Sequence, residues 1–219
     1  MALNRIDTLL QDEAQQETTE RYQEWVTRSL AGRRSGYIRA LRELAEQIAD
    51  LSQIAGCLVE ALASGHSVLI AGNGGSAAEA QHFAAELVGR FRRERAAYPV
   101  LALTADSAIL TAVGNDYGFT EVFSRQVRGH GRAGDVLVVI STSGESPNLV
   151  EALRAAHERR MSVVALTGAP DCTLTRLADH RISVPHADTA LAQEIHMLIT
   201  HILCDIVEAE LATLETRLA

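Results

Sequence analysis

From about Tyr37 to Ser64, apolar residues recur at spacings of three and four: Ile38, Leu41, Leu44, Ala45, Ile48, Leu51, Ile54, Ala55, Leu58, Val59 and Leu62. That period predicts one long amphipathic helix, ended by Gly65, with a stripe wide enough to bury against more than one neighbour. The stretch before it, about Asn4 to Leu30, is polar and helix-prone, with a patchy stripe of Leu9, Leu10, Ala14, Tyr22, Trp25 and Val26. Between the two, Ala31-Gly32-Arg33-Arg34-Ser35-Gly36 reads as a linker. The expected organisation is therefore a helical arm, residues 1–36, and one domain, residues 37–219.

Beyond Gly65 the period changes. Short β-branched and aliphatic runs at Ser67 to Ala71, Tyr98 to Leu103, Asp135 to Ile140, Ser162 to Leu166 and Ile182 to Val184 read as five strands. The run DVLVVI has no polar alternation, which predicts a strand covered on both faces, as in a parallel sheet flanked by helices. Helical patterns follow the strands: after Ser76, from Ser107 to a turn at Gly114-Asn115-Asp116-Tyr117-Gly118, from Asn148 to Arg160, from Thr173 to Asp179, and a long terminal helix from Thr189. The alternation implies an α/β fold, a doubly wound, mainly five-stranded parallel sheet with long N- and C-terminal helices. Ligands are expected at the carboxyl ends of its strands.

Two loops at such ends carry chemistry. Gly72-Asn73-Gly74-Gly75-Ser76 joins a strand to an alanine-rich helix, a grammar suited to an anion, with Ser76 placed to cap the helix. It also fits G-x-G-x-x-A, but a dinucleotide site needs an acidic residue about 20 positions on, and Asp106 comes late. Ser141-Thr142-Ser143-Gly144-Glu145-Ser146 gathers hydroxyls and N–H groups at another strand end, a basket for a phosphate. In the helix after the first loop, His82 and Glu86 stand at i and i+4 and project from one face. The same pair also fits an ordinary half-buried histidine with a solvated glutamate. The terminal helix holds Gln193, Glu194, His196 and His201 inside an apolar pattern, where polar groups need partners. Gln193 and His201 are about 12 Å apart along a helix, near the limit for sharing one ion, and His196 falls off their stripe as a structural histidine.

Composition narrows the ligand class. Lys+Arg 20 against Asp+Glu 28 gives 20 − 28 = −8, which excludes a nucleic-acid backbone as a natural partner but not a small phosphorylated molecule. The cysteines Cys57, Cys172 and Cys204 are odd in number and unpaired in spacing, so the expectation is a reducing, cytoplasmic setting without a disulfide framework or a thiolate metal site. The charged start and the absence of a long apolar run predict neither a signal peptide nor a membrane span.

Taken together and in order, AGNGGSAAEAQHFAAELVGRF, VGNDYGF, ISTSGES and QEIHMLITH resemble the SIS (sugar isomerase) family, over roughly Tyr37 to Leu211. Within it they are most similar to phosphoheptose isomerases, which interconvert sedoheptulose 7-phosphate and D-glycero-D-manno-heptose 7-phosphate. The resemblance implies a substrate site of Asn73, Gly74, Gly75, Ser76, Glu86, Asn115, Asp116, Ser141, Thr142, Ser143, Ser146 and Gln193. It implies one zinc ion per subunit on His82, Glu86, Gln193 and His201, with Glu86 and His201 as the acid/base pair. It further implies a homotetramer with sites at subunit interfaces. A sister group of SIS proteins binds the bacterial replication initiator, which offers a non-catalytic regulator as the alternative. The carboxylate at Glu86 and the imidazole at His201 favour the enzyme.

An aldose–ketose isomerisation moves a proton between C1 and C2, so it needs a base beside the carbon and an acid at the oxygens. Glu86 is the expected base and His201 the group that serves the oxygens, while zinc would polarise the carbonyl.

Overall fold

The computed structural model describes residues 2–185 and 188–218, with side chains for 15–16, 18–185 and 188–214. Met1 and Ala219, the outer limits of the two expected units, lie outside the described residues, as do the side chains of Leu9, Leu10 and Ala14. The chain divides into two compact units, Met1–Leu41 and Arg42–Ala219.

The apolar runs become one sheet because they are covered on both sides. β1 (Val68–Gly72) and β3 (Val136–Ser141) are buried at every position, and β4 (Ser162–Thr167) at all but its first. With β2 (Val100–Ala102) and β5 (His180–Ser183) at the edges, they pair in parallel in the order β2-β1-β3-β4-β5. Alternate residues point to opposite faces. Leu69, Ala71, Leu137, Val139, Val163 and Ala165 enter a core with Val127 of α5 (Ser124–His130) and Leu149 and Leu153 of α6 (Pro147–Glu158). The opposite positions, among them Ile70, Val138, Ile140 and Leu166, are fully buried. That face is covered by α2 (Ile48–Ala63), α3 (Gly75–Val88) and α8 (Thr189–Leu218).

The long helix expected over Tyr37–Ser64 is two helices. α1 runs Ala2–Ala45 and α2 begins at Ile48, with Gln47 between them out of helical conformation at φ −106°, ψ 21°. The cause is the sheet edge: Gln47 Nε2 donates to the Ser183 carbonyl at 2.7 Å, and the Ser183 N–H donates to Gln47 Oε1 at 3.0 Å. The side-chain amide thus takes the place of a neighbouring strand on β5 and turns the chain there. The linker expected at Ala31–Gly36 is helical and lies inside α1. Its two glycines cost about 1 kcal/mol each against alanine, too little to break a helix that is continuous on both sides. Gly114–Tyr117 likewise continues α4 (Ser107–Tyr117) rather than turning, and the helix stops at Gly118, whose φ is +87°. No helix among the described residues is long and apolar enough to cross a membrane.

Candidate active site

In this strand order the connection leaving β1 runs to β2 on one side and the connection leaving β3 runs to β4 on the other, which opens a crevice at the carboxyl ends of β1 and β3. Both loops singled out in the sequence lie there. They are joined by a reciprocal amide pair: Asn73 Nδ2 donates to Asn148 Oδ1 at 2.9 Å, and Asn148 Nδ2 donates to Asn73 Oδ1 at 2.9 Å. Asn148, buried at the start of α6, is a site residue that the sequence reading missed. An asparagine just after Pro147 looks like an ordinary first-turn residue until its partner is known.

The first loop starts α3 earlier than expected. Gly74 is the N-cap, at φ +56°, so Ser76 sits buried within the first turn and does not cap the helix. A Cβ at Gly75 would meet the side-chain amide of Gln193 on α8, which would have to move aside. The second loop is held by its own hydroxyls. Ser141 Oγ accepts from the Gly144 N–H at 3.1 Å and lies 3.5 Å from Ser143 Oγ, which accepts from the Glu145 N–H at 3.3 Å. Glu145 ties the loop outward to α7 (Thr173–Leu177), accepting from the Thr173 N–H at 2.8 Å and hydroxyl at 2.6 Å. Thr142 is half-buried, and Ser146 is the N-cap of α6 without a side-chain bond to its amides.

Two turns along α3 from Gly75, the helices bring ionisable groups together. His82 Nε2 lies 2.9 Å from His201 Nε2 and 3.4 Å from Glu86 Oε1, and one ligand atom from each of the three residues falls within 4.8 Å of the others. The His82 and Glu86 side chains keep 39% and 22% of their exposure, so the cluster is reachable by a ligand. Two imidazole nitrogens at this separation repel unless a proton or a cation lies between them, and nitrogen and oxygen donors converging in this way suit a divalent metal. The donor set therefore fits a metal ion. The side-chain amide of Gln193, on α8, lies against Gly75 at the start of α3. Asn115 and Asp116 stand exposed on α4, the Asn115 amide donating to Asp116 Oδ1 at 2.8 Å. No hydrogen bond or ion pair among the described residues ties them to either loop or to the histidines.

Beneath the site, α3 and α8 also enclose Glu79 and His196, with His196 Nδ1 and Glu79 Oε2 4.0 Å apart, beyond a hydrogen bond. Burial pushes the Glu79 carboxyl up to about 7, against the pull of the Ser76 hydroxyl. Burial lowers the His196 pKa, against a smaller opposing effect of the Thr167 backbone. The sequence suggested a hydrogen-bonded structural histidine at His196, whereas both ring nitrogens are buried without a hydrogen-bond partner among the described residues.

This sheet order, with hydroxyl-rich loops at the switch point, defines a doubly wound α/β domain, and the match of residues 35–168 to the SIS domain model places the chain in that family. Its relatives narrow the class. It is 48% identical to a phosphoheptose isomerase of a Bradyrhizobium species, over 83% of this chain and 91% of that one. It is 49% identical to the phosphoheptose isomerase of Neisseria meningitidis, over 80% and 90%. The solved phosphoheptose isomerase of Neisseria gonorrhoeae superposes with a TM-score of 0.77 at 46% identity, covering 85% of this chain and 98% of that one. The enzyme from Francisella tularensis gives 0.73 at 39% identity, covering 78% and 92%.

Proposed function

We propose that this chain is an aldose–ketose isomerase that interconverts sedoheptulose 7-phosphate and D-glycero-D-manno-heptose 7-phosphate. The observation that carries the reading is the convergence of His82, Glu86 and His201 within 4.8 Å, two turns along the helix that leaves the first of the two phosphate-type loops. Phosphoheptose isomerases at 48–49% identity over most of the chain support the substrate.

In this reading the phosphate is anchored by Ser141, Thr142, Ser143 and Ser146 and by the free N–H groups at the start of α6. Asn73, Gly74, Gly75 and Ser76 line the chain of the sugar, with Asn73 oriented by Asn148. Glu86 removes the C1 proton of the ketose and returns it at C2. His201 moves the proton between the two oxygens, so the charge of the enediolate never has to stand alone. The Glu86 side chain keeps 22% of its exposure, so its carboxylate is within reach of the substrate. His82, Glu86 and His201 would hold a zinc ion, with Gln193 as a weak and exchangeable fourth donor because its amide is neutral. When bound, the metal supplies a positive charge at the carbonyl end of the sugar.

Two features support a homotetramer with sites at its subunit interfaces. α4 buries none of its residues, leaving Asn115 and Asp116 on an open surface. Tyr22, Trp25, Val26 and Leu30 on α1 are each more than half exposed. The three cysteines are all free, which suits a cytoplasmic enzyme. The test is incubation of the purified protein with sedoheptulose 7-phosphate, followed by NMR. Appearance of the aldose supports the reading, and unchanged ketose at high enzyme concentration ends it.

A further inference from the structure

We infer that Phe91 is a positioning residue for His201, and that the carboxylate of Glu208 holds it in place. After α3 the chain wraps around Glu208 on α8. The N–H groups of Phe91, Arg92 and Arg93 donate to its two oxygens at 3.0, 2.8 and 2.8 Å. Arg95 completes the cage, its Nε 3.3 Å from Glu208 Oε1, with the two side chains 1% and 0% exposed. The same guanidinium donates to the carbonyls of Glu86, Gly89 and Ala96 at 2.9, 2.9 and 3.0 Å, and its Cζ lies 4.1 Å from the Tyr98 ring centroid. Burial alone would raise the Glu208 pKa, but the three N–H groups and Arg95 hold it below the usual range. A buried charge matched this fully fixes one conformation of the segment around it, because any other leaves the charge unpaired.

What that conformation delivers is an aromatic face. His201 and Glu208 are seven residues apart on α8, two turns along the same side of the helix. With its backbone held by Glu208, Phe91 stacks on the imidazole of His201 at a centroid separation of 5.5 Å and an interplanar angle of 21°. His82 meets the same ring edge-on, at 5.1 Å and 67°. The stacked face prevents the His201 ring from tilting, so its Nε2 stays directed at the cluster while its ligands change. The Arg95 bond to the Glu86 carbonyl connects the same device to the other proposed acid/base residue.

The catalytic half of this inference rests on the reading of His201 as an acid/base group, so the experiment has arms that need no turnover. Phe91→Ala and Phe91→Tyr are compared with wild type. In the metal-free chain, the ring-proton NMR signals of His201, assigned with His201→Gln, should sit upfield in wild type and Phe91→Tyr and move downfield in Phe91→Ala. Zinc affinity and kcat should each fall about 10- to 100-fold in Phe91→Ala, with KM for sedoheptulose 7-phosphate little changed and Phe91→Tyr restoring both. Glu208→Gln should move the same quantities in the same direction; if it fails to fold, the Phe91 variants carry the test alone. Unmoved His201 signals in Phe91→Ala would overturn the packing relation. Moved signals with unchanged zinc affinity would overturn the positioning role. An inactive wild type with normal zinc binding would instead count against the isomerase reading.

Discussion

Nε2 of His82 and Nε2 of His201 lie 2.9 Å apart, although the residues are 119 positions apart in sequence. α3 and α8 meet side by side, so the register of one helix on the other decides whether the two rings converge. With Glu86 alongside, the pair makes a cluster to which one ligand or one proton can bind, and removing either ring should dismantle it. Zinc titration of the metal-free chain should give measurable binding in wild type and a loss of at least tenfold in His82→Ala and His201→Ala. Equal affinity in all three proteins would place the ion elsewhere.

The two loops at the switch point should behave as a unit through Asn73 and Asn148. Asn148→Ala strands the Asn73 amide without its partner and should cost about 1–3 kcal/mol by urea unfolding, with weaker sugar-phosphate binding. The double variant Asn73→Ala/Asn148→Ala should cost less than the sum of the single ones. Strict additivity would mean that the amide pair does not couple the loops.

Replacing hydroxyls in the second loop should weaken ligand binding while sparing the fold. Ser143→Ala/Ser146→Ala removes no core volume, so its thermal midpoint should stay close to that of wild type. Its affinity for the sugar phosphate by calorimetry should drop about tenfold or more, as two hydrogen bonds to a charged group are lost. Unchanged affinity would move the anchor to Gly72–Ser76.

The buried pair Glu79 and His196 should leave opposite marks on stability against pH. Glu79 titrates at about 7 in the folded chain and near 4.5 unfolded, so folding holds a proton that the unfolded chain releases. Its effect is that stability falls as pH rises from 4.5 to 7. His196 has its pKa lowered from 6.5, so below that pH the unfolded chain takes up a proton that the folded chain refuses, and stability falls as pH drops. With chelator present, Glu79→Gln should gain on wild type as pH rises through 4.5–7, and His196→Gln should gain as pH falls below 6.5. Thermal midpoints offset by a constant amount at every pH would contradict both assignments.

Much of this molecule could be read from its pattern. The unalternating run Asp135–Ile140 predicted a sheet covered on both faces, and the i, i+4 pair His82 and Glu86 could be placed on one helix face from spacing alone. What spacing could not reveal depends on distant partners. Gln47 breaks a helix because Ser183, on a strand 136 residues later, offers its backbone. Gln193 rests on Gly75 because the register of α8 on α3 is set by core packing, which no local period reports. Glu208 looks like a solvated residue near the end of a helix, and only the fold brings three amides and Arg95 around it.

Glu86 is proposed to carry the proton between C1 and C2. The most direct measurement is the conversion of sedoheptulose 7-phosphate in D2O by wild type and by Glu86→Gln, followed by proton NMR. Wild type should yield the aldose, with deuterium at C2 to the extent that the proton on Glu86 exchanges with solvent before its delivery, and Glu86→Gln, which keeps the shape but not the base, should turn over about 10²- to 10⁴-fold more slowly. Near-normal turnover by Glu86→Gln would contradict the account.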